Sequence, residues 1–348
     1  MLLYHMDKSN STESPLEAAA GAAGPRATEA FSVLGNETRL AILLALWEAY
    51  EPFEAENAVS FAELRKRVGM RDGSQFNYHL TQLVGHFVRQ TDDGYELRHS
   101  GLRLVQSVIA GAGLDNPELP PTEVDRACPV CGAPTAVTYR DESFFHVCTE
   151  CEGRFGNRGQ FPEGTLAGAN LNPAVVTDRE PEELLNAAFV SGTWNLQSAV
   201  EGVCAECSGP MEGWLHVCDD HEGEGVCPNC DRRYEVMARF RCPVCKASGE
   251  YVPSCSWLVM HHPTVIAFYA DHGVPLQYDD DDSGGFQPRY RDVDPKEDID
   301  YELIATDPPR VRVTFQHEGA ELELTLDENV NVVDVSESGR HSVDHLGA

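Results

Sequence analysis

Between residues 28 and 112 the apolar positions follow a helical period that is interrupted once. Leu40, Leu43, Leu44 and Trp47 recur at i, i+3, i+4 and i+7 behind Asn36, a residue type that caps helix N-termini. Ser60-Phe-Ala-Glu63 has the form of a capping box and opens a short helix with Phe61, Leu64 and Val68 inward. Gly69 and Arg71-Asp72-Gly73 make a turn, and Asp72, with Gln75 three residues on, caps the next helix. Phe76, Leu80, Leu83 and Phe87 share one face of that helix. The pattern then changes. Val88-Arg-Gln-Thr91 and Tyr95-Glu-Leu-Arg98 flank Asp92-Asp93-Gly94, a hairpin signal. Gly101 to Ile109 reads as a closing helix.

The rest of the chain is more broken. Residues 113–127, with Pro117, Pro120 and Pro121, read as a linker, and cysteine pairs dominate from 128 to 255. Pro181 to Val200 is a helix with Leu184, Leu185, Ala188 and Phe189 on one face. Pro263 to Asp271, closed by Gly273, is another. Tyr301 to Val335 alternates apolar and polar residues through Val311-Arg-Val-Thr-Phe and Leu322-Glu-Leu-Thr-Leu, which predicts an antiparallel meander.

The predicted organisation is α+β and multi-domain. A disordered tail (1–27) precedes a helical domain (28–112) and the linker (113–127). A first cysteine module (128–160), a helical connector (161–203) and two tandem modules with a closing helix (204–275) follow. An acidic loop (276–298), the β-meander (299–336) and a second tail (337–348) complete it.

Helix, helix, turn, helix, hairpin, helix is the order of a winged helix-turn-helix. Three stretches also resemble the ArsR-type winged-helix regulators: Leu34-Gly-Asn-Glu-Thr-Arg39-Leu-Ala-Ile-Leu in the opening helices, Ser74-Gln-Phe-Asn-Tyr-His-Leu80 in the recognition helix, and Asp93-Gly-Tyr-Glu-Leu in the wing. The resemblance covers about a quarter of the chain. It implies duplex DNA binding as a homodimer. Metal-sensing members carry Cys-x-Cys in the helix before the recognition helix. Here that helix reads Phe61-Ala-Glu-Leu-Arg-Lys-Arg67, so sensing by that route is not implied. The whole chain is similar to haloarchaeal regulators that join such a winged helix to zinc ribbons, and His262-Pro-Thr-Val-Ile-Ala-Phe-Tyr-Ala-Asp-His-Gly273 also looks like that group.

Charge changes the picture twice. The 348 residues carry 57 acidic against 26 basic side chains, a formal net charge of −31, and only Lys8, Lys66, Lys246 and Lys296 are lysines. Such acidic, lysine-poor usage fits a protein of salt-rich cytoplasm, where the Debye length falls to about 3 Å near 1 M salt. It argues against anionic membrane surfaces and, at first sight, against nucleic acid. No apolar run approaches the roughly 18 residues of a membrane span. Met1 to Arg26 lacks the basic-then-apolar layout of a signal peptide.

Residues 60–103 depart from that bias. Seven bases (Arg65, Lys66, Arg67, Arg71, Arg89, Arg98, Arg103) face five acids, a local net of +2 that leaves −33 on the remainder. With Phe76, Leu80 and Leu83 inward, Ser74, Gln75, Asn77, Tyr78 and Gln82 face out, and Gln and Asn can pair bidentately with adenine in the major groove. Arg65, Lys66, Arg67 and Arg71 are expected near phosphates, with Arg89 and Arg98 flanking the wing. A second basic cluster (Arg232, Arg233, Arg239, Arg241, Lys246) could touch nucleic acid or offset thiolate charge.

Ten of the twelve cysteines form five Cys-x-x-Cys pairs, which in a chain without an export signal read as metal ligands before disulfides. Cys128, Cys131, Cys148 and Cys151 make one zinc ribbon, the 16-residue gap fitting a hairpin that brings two knuckles together. For the second block, matched short spacings favour Cys204, Cys207, Cys218 and His221 as one site and Cys227, Cys230, Cys242 and Cys245 as another. The rival joins Cys204/Cys207 to Cys227/Cys230, and Cys242/Cys245 to Cys255 with His261 or His262. Either way, three structural Zn2+ ions are expected. Each site has four protein ligands and no open position for water, which catalytic zinc requires, so no enzyme is read here. Cys255, His261, His262 and His272 read as core or helix-end residues.

The function expected is that of a cytoplasmic, zinc-containing, DNA-binding transcriptional regulator. Two other readings stand beside it. One is an adaptor contacting the transcription machinery, similar in layout to archaeal transcription factor E. The other is a redox or metal sensor acting through the thiolates.

Overall fold

The computed structural model describes residues 24–339 apart from 55, 113–116, 157–160, 253–257, 275, 281–285, 291–292 and 294–297. The predicted tails therefore fall largely outside the described residues, and so does Cys255. The architecture is mixed α+β with several small antiparallel sheets, and the chain divides into two compact units, Met1–Leu114 and Asp115–Ala348.

The first unit begins with helices α1 (Gly24–Leu34), α2 (Glu37–Glu48), α3 (Phe61–Val68) and α4 (Gly73–Leu83). Strands β1 (Val88–Gln90) and β2 (Tyr95–Leu97) and helix α5 (His99–Ser107) follow. Helix α1 occupies residues 24–27, which the sequence pattern assigns to the tail. The caps form as predicted. Asn36 Oδ1 accepts from Arg39 N, Ser60 Oγ from Glu63 N, and Asp72 Oδ1 from Ser74 N and Gln75 N. Each satisfies donors that a helix start leaves orphaned. Ile42, Leu43, Leu46, Leu64, Phe76, Leu80 and Leu83 form the core, and Phe61 meets Phe76 edge-on at 5.2 Å.

The face expected of α2 is corrected. Leu40 and Leu44 are exposed, while Ile42, Leu43, Ala45 and Leu46 are buried. The helix is apolar almost all round, so its periodicity cannot select a face. Sequence reasoning also missed Val59. Its N–H and carbonyl pair with Tyr95 at 2.8 and 2.9 Å, adding a third strand position to the β1–β2 hairpin.

The second unit opens with a four-stranded sheet of β3 (Leu119–Ala127), β4 (Pro134–Arg140), β5 (Ser143–Cys148) and β6 (Thr165–Asn170), in that order. The expected linker is thus largely a strand. Pro120 and Pro121 are compatible because β3 is at the sheet edge and its register with β4 is irregular there, passing from Leu119 opposite Tyr139 to Thr122 opposite Val137. Helix α6 (Pro181–Val200) has the predicted limits, with Leu184, Leu185 and Ala188 buried.

A three-stranded sheet follows: β7 (Glu212–Val217), β8 (Val236–Arg241) and β9 (Ser248–Tyr251). Helix α7 (Pro263–Asp271) has the predicted limits too. The expected acidic loop instead contains the antiparallel pair β10 (Leu276–Asp280) and β11 (Phe286–Tyr290), since Leu276-Gln-Tyr278 and Phe286 to Tyr290 flank the acid run with strand-forming residues.

The meander is β12 (Ile299–Thr306), β13 (Pro309–His317), β14 (Ala320–Leu326) and β15 (Val332–Ser338). Its inward residues Val311, Val313, Phe315, Leu322 and Leu324 are fully buried. They share one core with Leu215, Val236, Phe240, Val265 and Tyr269. The meander therefore backs the β7–β8 hairpin, and Leu215 N donates to Glu328 O at 2.9 Å. Among the described residues no single helix is long and apolar enough to cross a membrane.

Candidate metal centres

Three groups of four side chains bring one ligand atom each to within 4.8 Å of one another. They contain all twelve residues expected as ligands. Cys128, Cys131, Cys148 and Cys151 form the first. Thr135 pairs with Cys148 across β4–β5, so the hairpin carries one knuckle at its entrance and the other at its exit, as the spacing predicted.

The other two correct the expectation from spacing. Cys204 and Cys207 join Cys242 and Cys245, while Cys218 and His221 join Cys227 and Cys230. Both partitions weighed from spacing are thereby overturned. The cause is the hairpin register. Glu212 pairs with Arg241 at one end of β7–β8 and Val217 with Val236 at the other. The knuckle entering β7 therefore faces the knuckle leaving β8. The long β7–β8 connection supplies all four ligands of the third group at the opposite end, roughly 17 Å away at about 3.3 Å per residue. The modules are nested rather than tandem.

The distances fit an ion. Sulfur atoms lie 3.8 Å apart for Cys128/Cys151 and 3.6 Å for Cys131/Cys148, Cys204/Cys245 and Cys207/Cys242. Cys230 Sγ is 3.5 Å from His221 Nδ1. A tetrahedral centre with metal–sulfur bonds of about 2.3 Å and metal–nitrogen bonds near 2.0 Å has edges of roughly 3.8 and 3.5 Å. Disulfide sulfurs would be about 2.05 Å apart. The groups are compatible with three bound metal ions.

Four of the knuckles are built alike. The N–H of Cys128, Cys204, Cys227 and Cys242 donates to the carbonyl five residues on, and the carbonyl accepts from the N–H four residues on. That fourth residue is left-handed in each: Gly132, Ser208, Asp231 and Lys246. The turn aims backbone N–H groups at sulfur. Val130 N points at Cys128 Sγ at 3.4 Å and Cys245 N at Cys242 Sγ at 3.5 Å. In the Cys148 knuckle, which lacks this turn, the N–H groups of Glu150 and Cys151 point at Cys148 Sγ at 3.4 and 3.3 Å. Burial opposes ionisation of Cys148, but these donors outweigh it and bring the thiol down to about 7. Cys227 and Cys242 also fall to about 7. Burial and neighbouring sulfurs push Cys151 up to about 12. A group in which one thiol ionises near neutrality and its neighbour holds its proton needs a cation to become four thiolates.

The centres are docked on one another. Residues after Cys151 bond to the Cys227–Cys230 knuckle, through Gly156 N to Asp231 O and Arg233 Nε to Gly153 O, at 3.0 and 2.8 Å. The Arg232 guanidinium lies 5.1 Å from the Phe155 ring centre. Glu250 takes Arg232 on one oxygen and Arg239 Nε on the other at 2.6 Å, which holds its carboxyl below the usual range against the cost of burial. Arg241 lies 3.4 Å from Glu212. Four of the five bases in this cluster therefore have structural partners.

His262 caps α7, accepting from Thr264 N, and His272 sits at its end against Phe268. Neither these nor His261 joins a group.

In the first unit, Ser74, Gln75, Asn77, Tyr78 and Gln82 lie exposed on α4, opposite buried Phe76, Leu80 and Leu83. The expected phosphate contacts divide. Arg65 donates to Arg71 O at 2.7 Å, and Arg98 donates to Gly85 O, so both brace turns. Arg67 pairs with Glu63 at 3.1 Å and Arg89 with Glu96 at 2.5 Å. Lys66, 3.9 Å from Glu63, and Arg71 reach into solvent.

A family model described as "Domain of unknown function (DUF7347)" matches residues 27–108. A second, described as "Domain of unknown function (DUF7351)", matches residues 125–332, more than half of the chain. No curated protein and no solved structure matches.

Proposed function

We propose, from the premise that the chain belongs to the DUF7351 family, that it is a zinc-stabilised transcriptional regulator whose first unit binds duplex DNA as a winged helix. The observation that carries this reading is α4. It is capped by Asp72, anchored by three buried apolar residues, and presents Ser74, Gln75, Asn77, Tyr78 and Gln82 to solvent. It lies within the segment where bases outnumber acids in a chain of net charge −31. That combination is the footprint of a major-groove helix beside phosphate contacts. Gln75 and Asn77 carry base readout, and Lys66 and Arg71 are the side chains best placed for phosphates. The β1–β2 hairpin is the wing. Exposed Phe31, Leu40 and Leu44 on α1 and α2 support assembly as a homodimer.

The ions are zinc on this reading. Two sets of four cysteines, and one of three cysteines with a histidine, all with tetrahedral edges, are the ligand chemistry of closed structural zinc sites. In such sites the metal supplies cohesion that small modules lack. The chain's own part is to hold paired thiolates on knuckles fixed by the β4–β5 and β7–β8 registers.

Genome-wide occupancy in cells at native salt tests the reading. Discrete promoter peaks that vanish when Gln75, Asn77 and Tyr78 are together replaced by Ala support it. Peaks that survive refute the recognition-helix assignment. Uniform occupancy of promoters favours an adaptor of the transcription machinery instead. Elemental analysis of the purified chain, with three zinc ions per chain expected, tests the metal.

A further inference from the structure

A cavity of about 160 Å³ lies in the second unit between β5–β6, α6 and the end of β9. Phe144, Phe155, Leu166, Phe189, Leu196 and Tyr251 are the large apolar side chains that line it. Arg154, Thr193 and Glu250 are its polar members, and the last two have hydrogen bonds of their own. Thr193 Oγ donates to Phe189 O at 2.8 Å, and Glu250 is clamped by Arg232 and Arg239. A wider and more polar hollow of about 550 Å³ borders the same Gly168, Gly192 and Tyr251.

Gly192 distinguishes this cavity from a packing defect. It stands in the interior of α6, where glycine costs about 1 kcal/mol relative to alanine. Its backbone is not left-handed, so no turn demands glycine. A Cβ built on it meets nothing within 4 Å, so no neighbour demands it either. Gly168, on the facing strand, is different: a Cβ there would stand 3.1 Å from the Phe145 ring, and packing explains it. What the absent side chain of Gly192 does is leave open the space that both hollows share.

We propose that this cavity is a binding site for a small ligand bearing a single aromatic ring, and that Gly192 keeps it open. A protein cavity of roughly 150 Å³ takes up benzene, so a volume of about 160 Å³ suits one ring and not two. Aromatic walls from both sheets and α6 offer edge and face contacts to such a ring. The adjoining polar hollow gives a substituent on the ring a route to solvent. The site lies wholly in the second unit and is independent of DNA binding by the first.

Fluorobenzene is the probe, added to the full metal-loaded chain and followed by 19F NMR and thermal melting. Saturable broadening of the fluorine line and a midpoint that rises with probe concentration are expected. Gly192→Ala should melt at or above the wild type, since it adds one methyl in open space. Gly192→Leu, which fills the cavity, should weaken binding at least about tenfold. Absence of saturable binding, or unchanged binding by Gly192→Leu, overturns the proposal. Should Gly192→Leu fail to fold, intermolecular NOEs decide. Contacts from the probe to the Phe189 and Tyr251 rings uphold the site, and contacts confined to other residues refute it.

Discussion

The sulfur atoms of Cys207 and Cys242 lie 3.6 Å apart although 35 residues separate them in the chain. All four ligands of the Cys218/His221/Cys227/Cys230 group fall inside that interval. One centre thus closes the open end of the β7–β8 hairpin, and the other is built entirely within its connection.

This nesting is testable by metal stoichiometry. Cys207→Ser and Cys242→Ser should each remove one ion, leaving two per chain by native mass spectrometry. The double variant should also retain two, because both residues serve one site. Retention of only one ion by the double variant would place them in separate sites and sink the nested arrangement.

Legibility in the sequence was uneven for physical reasons. Cap residues act over three positions, so Asn36, Ser60 and Asp72 were readable directly. The Cys128–Cys151 centre was readable because one short hairpin joins its knuckles. The other two centres were not. Matched spacing favours neighbours along the chain, whereas the β7–β8 register joins the pairs that lie farthest apart in it. The strand character of Thr122 to Ala127 was masked by Pro120 and Pro121, which disqualify a central strand but not an edge. The role of Arg65 was hidden for another reason. A base that braces a turn and a base that faces a phosphate look identical until the carbonyl of Arg71 is placed beside it.

The repeated knuckle turn makes a stability prediction. Ser208 holds φ +57°, a conformation costing a non-glycine residue about 1–2 kcal/mol. Ser208→Gly should raise the thermal midpoint of the metal-saturated protein. Gly132 has φ +80° and open space where a Cβ would stand, so substitution by Ala there should lower it by a comparable free energy. A drop with Ser208→Gly would mean that the Ser208 side chain contributes more than its backbone costs.

Gly94 is predicted to be the least replaceable residue of the β1–β2 hairpin. Its φ is +149°, and a Cβ would lie 2.3 Å from Val59 O, the acceptor that binds Tyr95 N. Gly94→Ala must break that bridge or displace the hairpin, at a cost of at least about 2 kcal/mol to the first unit. Metal content, set in the second unit, should stay at three. Circular dichroism melting beside elemental analysis checks both halves. An unchanged melt would show that Val59 does not hold the hairpin.

His146 supplies the pH prediction. Its Nε2 lies 2.8 Å from Thr135 Oγ1, and that hydroxyl gives its one proton to Arg126 O at 2.8 Å. The imidazole must therefore donate through Nε2, a bond that the neutral and the charged ring can both make. Burial, reinforced by the charges of Arg126 and Arg154, lowers its pKa from the usual 6.5 to about 4. The unfolded chain takes up a proton near pH 6.5 that the folded chain refuses until about 4. Stability from this group is thus complete above pH 6.5 and lost as pH falls, by about 3 kcal/mol once below the folded value. In metal-saturated protein, the His146 ring resonances should stay fixed from about pH 8 to about pH 5.5, with the Nε2–H tautomer visible in the 15N shifts. A titration midpoint near the ordinary histidine value would show that burial and the neighbouring arginines do not exclude the charged form. Thr135→Val should lower stability by about 1–3 kcal/mol, because it leaves a buried imidazole donor without an acceptor.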